Sequence, residues 1–370
     1  MRLLDFINEY DNWADLLSKP PYNISIKTDG EYKLLKYNQI ESDFDYEVVQ
    51  EARGCIVKQD FDGEWIYVCR PFKKFFNYGE PWAAHIEWYY ILITEKIDGS
   101  LMKMWFDNGR WHLSTNGTID AFKAPINELS YTFGQMFEHI LKIDISSFAE
   151  ECNLNPNFTY LFEMVSPETR IVIPYDYKIY YLTRFENSNG AEVPLLAQKK
   201  LKLGQFVEFP QTYRFNSLEE VIAEAEKMDS LHEGFVVSDF YSNRIKVKSP
   251  EYLKAAHLFI KGNVGKADIL KMLKEGTVDD FEGYFPQYHN LIKDVTFDVN
   301  NFIIQALMDW NTYCWIPTRK EFALKVKDLP TSDILFKKYS NPYFNIEHYI
   351  WNELNVNKLA HLLGYDKENK

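Results

Sequence analysis

Apolar and polar residues change their rhythm near residue 254. Before that point, short apolar runs alternate with polar positions at a period of two, as half-buried strands do. This pattern predicts strands at about residues 64–70, 89–94, 170–173, 178–185, 235–238 and 244–249. Helices are predicted over 121–143 and 218–228, the second opened by Asn216 and Ser217 with Glu219 and Glu220 in its first turn. After Tyr252 apolar residues recur three and four apart over 267–274, 302–314 and 358–363, which predicts helices. Ile303, Leu307, Trp310 and Cys314 fall on one stripe, expected to pack in a core. The expected fold class is α+β: a domain with antiparallel sheets over 1–254, then an all-helical domain over 255–370.

Bulk properties narrow the function. The chain has 370 residues, 46% hydrophobic and 16% aromatic, so it can bury two cores and is not a disordered chain. Its N-terminal stretch, MRLLDFINEYDNW, places acids where a secretory signal has an apolar core. No run reaches the roughly 18 apolar residues of a membrane span. A soluble, cytoplasmic protein with no membrane partner is expected. Cys55, Cys69, Cys152 and Cys314 form no CxxC pair, which argues against a zinc site or a disulfide framework. The formal net charge of -13 excludes a protein that coats nucleic acid without specificity. That charge is uneven, because residues 255–370 hold 14 Lys+Arg against 15 Asp+Glu. The tail can therefore tolerate a polyanion nearby.

Several short stretches carry chemistry. In TEKIDGS, Lys96 follows an apolar run and precedes Asp98 and Gly99. Strand alternation in RIKVKS puts Arg244, Lys246 and Lys248 on one face, suited to a triphosphate or else to a solvated strand edge. Glu163, in TYLFEMVSP, is an acid within an apolar strand and needs a partner, in a salt bridge or in a site. Glu233, in LHEGFVVSD, precedes a strand, as an ordinary turn residue or as a hard ligand for Mg2+. Arg53-Gly54 and the KKFFN stretch, with Lys74, Phe75 and Phe76, pair cations with groups that permit close approach or stacking on a purine.

Taken in order, ARG, KKFFN, KIDGS, FEMVSP, HEGFVV and KVKSPEY resemble the covalent nucleotidyltransferases, the superfamily of polynucleotide ligases and RNA capping enzymes. The closer resemblance is to the RNA ligase 1 family of phages, over residues 37–280. It implies an ATP-dependent RNA ligase with Mg2+ or Mn2+, acting through enzyme-lysyl-AMP and RNA-adenylate to join 5′-phosphate and 3′-hydroxyl ends. Lys96 matches the nucleophile. Tyr37, Arg53, Lys74, Phe76, Glu163, Lys246 and Lys248 match ATP-contacting positions, Asp98 and Gly99 the nucleophile motif, and Tyr252 a tyrosine tied to activity. Glu233 and Asp279 are the expected metal ligands. The resemblance further implies repair of a transfer RNA cleaved in its anticodon loop, an end-healing polynucleotide kinase-phosphatase as partner, and the host cytoplasm if the chain is phage-encoded. Arg319, Lys320, Lys325 and Lys327 are candidate RNA contacts in the tail, against the plainer reading of a solvated helix face. Asn116 stands where a basic residue is expected, which leaves one phosphate contact in doubt.

Two other readings remain at this level. A DNA ligase or capping enzyme shares the lysine but normally adds an OB-fold, where this chain predicts helices. A non-catalytic RNA-binding protein would use the GxxG between Lys261 and Lys266, which lacks the surrounding strands of a KH module.

Overall fold

The computed structural model describes residues 1–39, 41–126, 131–169, 173–193, 202–253, 264–275, 278, 281–282 and 288–365. The chain divides into two compact units, Met1–Phe259 and Ile260–Lys370.

The first unit begins with helices α1 (Leu3–Glu9) and α2 (Trp13–Leu17), then β1 (Ile24–Asp29), β2 (Tyr32–Tyr37), α3 (Glu47–Glu51), β3 (Arg53–Gln59) and β4 (Trp65–Cys69). These four strands form an antiparallel meander. Leu3, Ile7, Trp13, Leu35, Val49 and Val57 close its core against the helices. Next come β5 (Phe76–Asn77), β6 (Leu92–Glu95), β7 (Ser100–Asp107), β8 (Arg110–Thr115), α4 (Phe133–Leu141), α5 (Ile145–Glu151), β9 (Phe158–Val165), β10 (Lys178–Glu186) and β11 (Glu192–Val193). The unit continues with β12 (Thr212–Tyr213), α6 (Leu218–Ala225), β13 (Gly234–Ser238) and β14 (Arg244–Lys248).

Two five-stranded sheets result, in the orders β11-β10-β9-β7-β8 and β12-β6-β13-β14-β5. All pairings are antiparallel except β14 with β5, which is parallel. That exception places β14 inside its sheet, so RIKVKS is not a solvated edge. The alternation read from it holds in that Ile245 and Val247 are buried in an apolar cluster with Phe235 and Val237.

Two expectations need correcting. Residues 121–143 are not one helix. A 3-10 turn at Ala121–Lys123 ends, Pro125 bridges back to Thr132, and α4 starts afresh on a capping box made by Thr132 and Gln135. Proline cannot donate to a continuing helix, whereas the threonine–glutamine box satisfies a new N-terminus. The run 89–94 yields a strand only from Leu92, since Tyr90 takes a left-handed φ of 52°. Of the predicted strand 170–173, residues 170–172 lie outside the described residues.

In the second unit the described elements are helices: α7 (Lys266–Glu275), α8 (His289–Tyr313), α9 (Arg319–Val326), α10 (Ser332–Ser340), a short Ile346–His348 turn with the π-helical Tyr349–Glu353, and α11 (Val356–Leu362). No strand occurs among its described residues. Helix α8 buries Ile292, Val295, Val299, Phe302, Ile303 and Ala306. Leu307 is 43% exposed and Cys314 is also exposed, so the stripe inferred from sequence is rotated from the true buried face. Apolar residues lie on more than one side of α8, so spacing alone does not fix its phase. Among the described residues no helix is long and apolar enough to cross a membrane.

Candidate active site

Lys96 sits just past the end of β6, where its backbone N–H donates to Gly234 O on β13 at 2.8 Å. This bond sets the TEKIDGS turn beside the HEGFVV strand. The Lys96 ammonium donates to Glu233 Oε2 at 2.8 Å, and the other oxygen of that carboxylate lies 2.8 Å from Lys248 Nζ. The side chains are 16%, 3% and 4% exposed, respectively. One carboxylate thus bridges two lysines from distant parts of the sequence.

The glycine of KIDGS has a steric cause. A Cβ on Gly99 would lie 2.6 Å from Met164 O and 3.0 Å from Glu163 Cγ, so only glycine lets β7 start against β9. The register Ser100↔Met164 and Leu101↔Glu163 then carries Glu163 next to the TEKIDGS turn. Asp98 is buried, and its Oδ2 accepts the Ile173 N–H at 3.2 Å. Tyr252 is buried with Ile173 and Tyr175, its ring 5.7 Å from Lys248 Nζ.

Burial pushes the Glu163 carboxyl up to about 7; Lys96 and Arg53 pull it down, while Glu233 and Asp98 add to the rise. The folded value lies above the ordinary 4.5, so the native state holds this proton more tightly than the unfolded chain does. The stability that follows is present at low pH and is lost as pH rises through about 7. Glu163→Gln removes the titration. Its stability relative to the parent should therefore rise by ~2 kcal/mol between pH 5 and pH 8. Chemical denaturation at both pH values checks this, and a constant difference contradicts it.

The remaining cations gather around aromatic rings. The Arg53 guanidinium lies 5.1 Å from the centre of the Phe75 ring, and Lys246 Nζ lies 5.3 Å from the same ring. Lys74 Nζ is 5.1 Å from the Tyr37 ring and 5.5 Å from the Phe76 ring. Phe76 is 4% exposed and belongs to the meander's core. Phe75, its neighbour in KKFFN, is the half-buried ring shared by Arg53 and Lys246. One residue escaped notice: Lys103 on β7 is fully buried and donates to Gly54 O, fixing the start of β3, which carries Arg53. Burial holds its ammonium below the ordinary lysine value. Its sequence signal, a lysine between Met102 and Met104, was of the same kind that marked Glu163.

Some expected members stand elsewhere. Arg244 pairs with Glu192 and stacks on Phe72, so it does not act as a third cation beside Lys246 and Lys248. Glu233 spends both oxygens on lysines, and no group of three metal-ligating side chains is assembled among the described residues. Asp279 lies outside the described residues. Arg319, Lys320, Lys325 and Lys327 are exposed on α9 or just after it.

The sequence pattern of the RNA ligase family matches residues 51–252, more than half of the chain. A protein of Autographa californica nuclear polyhedrosis virus, whose name joins polynucleotide kinase to RNA ligase, is 28% identical over 85% of this chain and 46% of its own. The RNA ligase of Rhodothermus phage RM378 is 25% identical over 70% of this chain and 71% of its own. This chain thus spans about half the length of the first relative. Among solved structures, an archaeal ATP-dependent RNA ligase aligns with 99% of this chain and 83% of its own at 13% identity, with a TM-score of 0.49. Lys96, Glu163, Glu233, Lys246 and Lys248 all fall within the matched stretch, and the chain belongs to the RNA ligase family.

Proposed function

We propose that the chain is an ATP-dependent RNA ligase that joins a 5′-phosphate to a 3′-hydroxyl end through lysyl-AMP and RNA-adenylate. The observation that carries this is the Lys96–Glu233–Lys248 bridge, which holds a primary amine next to a second ammonium in a half-closed site. In the first step the Lys96 nitrogen forms a bond to the α-phosphorus of ATP. The bond to the bridging oxygen breaks, and pyrophosphate leaves with the electron pair. The amine must first shed a proton, and Glu233 Oε2 is within hydrogen-bond reach of it. Lys246 and Lys248 offset the charge that develops on the phosphate. An oxygen of the RNA 5′-phosphate then displaces Lys96 from the AMP phosphorus, and the 3′-hydroxyl finally displaces AMP.

Tyr37, Lys74 and Phe76 border the nucleotide side, where Phe75 offers an aromatic surface. Glu163 is suited to the ribose hydroxyls, because near neutral pH its carboxyl can donate or accept. A divalent cation such as Mg2+ or Mn2+ would neutralise phosphate charge when bound. It would rely on substrate oxygens and a single carboxylate rather than on a ready-made cage.

Labelled ATP with Mg2+ should yield acid-labile, covalently bound AMP, and labelled GTP should not. The adenylated enzyme should then seal single-stranded RNA in preference to nicked duplex DNA. Labelling by GTP, or sealing of DNA alone, would point to a capping enzyme or a DNA ligase.

The first unit is read as the adenylation domain and the helical unit as the RNA-recognition domain, with a cleaved transfer RNA as substrate and an end-healing kinase-phosphatase acting upstream. Replacing Arg319, Lys320, Lys325 and Lys327 together should slow sealing of a nicked, folded transfer RNA at least tenfold more than sealing of a short strand. Equal loss on both substrates removes the tail from recognition.

A further inference from the structure

We propose that the outer face of α8 is the contact through which two copies of this chain pair antiparallel. The inference stands apart from the ligase reading and concerns the helical unit by itself.

Helix α8 carries two apolar faces. One turns into its unit through Val295, Val299, Phe302 and Ile303. The other runs through Phe297, Ile304 and Met308 to Trp315, just past the helix end, and each of these four is more than half exposed. Asn301 and Asn311 fill the gaps and are exposed too. Successive spacings of four and three residues are those of a heptad seam, so the six side chains form one straight stripe. At 1.5 Å per residue the stripe is about 27 Å long.

Its composition suits a protein surface and not a nucleic acid. From Phe297 to Trp315 the only charged residues are Asp298 and Asp309. Asp298 pairs with Lys266, and Asp309 is buried and accepts the Thr331 hydroxyl. No lysine or arginine stands in this stretch to meet a phosphate. Aromatic residues and methionine with few charges are what the centre of a protein interface is made of.

The order of the residues selects a second copy. Phe297 mirrors Trp315, Asn301 mirrors Asn311 and Ile304 mirrors Met308, all about position 306. A two-fold axis across the helix there lays each apolar side chain on an apolar one and each asparagine on an asparagine. Paired amides satisfy one another and fix the register, as a polar seam position does in a coiled coil. A parallel pair also matches like with like, but it aligns the two helix dipoles, whereas the antiparallel pair sets them head to tail. With Leu307 on its flank, the stripe offers roughly 600 Å2 per copy and about 1,200 Å2 in the pair, the lower bound of a specific interface. A dimer with a dissociation constant of about 10 μM is therefore expected.

Sedimentation velocity of the full chain without RNA, from ~1 to ~100 μM, should show monomer passing into dimer. Met308→Asp puts an unpaired carboxylate into the seam and should weaken association at least tenfold. The position is exposed, so the melting temperature of the dilute protein should hold. Leu324→Asp alters a similarly exposed apolar residue on α9 and serves as control. Orientation is read with a short bis-maleimide in a Cys314→Ser background, which removes the exposed thiol. Asn301→Cys mixed with Asn311→Cys should cross-link between chains. Neither variant alone should, because like positions then stand about 15 Å apart along the axis. A monomer at every concentration, equal weakening by Leu324→Asp, or cross-links within each variant alone overturns the proposal. Association that appears only with added oligoribonucleotide assigns the face to RNA and overturns it as well.

Discussion

Lys248→Ala should lower the stability of the first unit by about 3 kcal/mol and reduce enzyme adenylation at least a hundredfold. Both effects follow from one contact. Glu233 is 3% exposed and is neutralised by Lys96 on one oxygen and Lys248 on the other. Removing Lys248 leaves a buried carboxylate with one cation where it had two, and the uncompensated desolvation is the larger part of the loss. Lys248→Met combined with Glu233→Gln should recover part of the stability, because the Glu233 and Lys248 charges go together and only the more exposed Lys96 ammonium loses a partner. It should recover none of the adenylation, since the cation that would meet the α-phosphate is still missing. Denaturant melts of the single and double variants, read beside labelling by ATP, check both halves. A single variant as stable as its parent would show that the bridge does not hold this site together. Sequence reading put Lys246 and Lys248 on a cationic face, suited to a triphosphate or to a solvated edge. Lys246 is 5% exposed and the Lys248 side chain 4%, so the face is buried.

Those lysines show what a sequence can and cannot tell. Lys96, Glu163, Glu233 and Lys248 were legible because each is a charge set in or beside an apolar strand, and because their blocks occur in a particular order. What joins them was not legible. The bridge through Glu233 depends on β13 lying between β6 and β14, a pairing across 137 residues for Lys96 and Glu233. The choice between Phe75 and Phe76 turns on which ring faces the core, and adjacent residues at the start of a short strand carry no local mark of that. In the second unit, helix spacing found α8 but not its buried face, because apolar residues lie on more than one of its sides. The α+β character of the first unit needed none of these contacts. Period-two runs broken by capped helices were enough.

The second large effect concerns Lys96. In the proposed reaction its amine is needed to take AMP from ATP and pass it to the 5′-phosphate, but not for the last step. By then AMP is already on the RNA, and the 3′-hydroxyl needs only positioning and charge stabilisation. Lys96→Ala should therefore abolish sealing of 5′-phosphorylated RNA with ATP while keeping measurable sealing of pre-adenylated RNA. Lys96→Arg is the informative companion. It keeps a cation beside Glu233, so the site retains its charge balance, yet a guanidinium stays protonated and cannot attack phosphorus. Failure of Lys96→Arg in the first assay thus separates loss of the nucleophile from loss of the ion pair. The most direct measurement incubates the parent, Lys96→Ala and Lys96→Arg with labelled ATP and reads acid-labile AMP on the protein. Label on the parent alone is the predicted result, and covalent AMP on either variant would contradict Lys96 as the carrier.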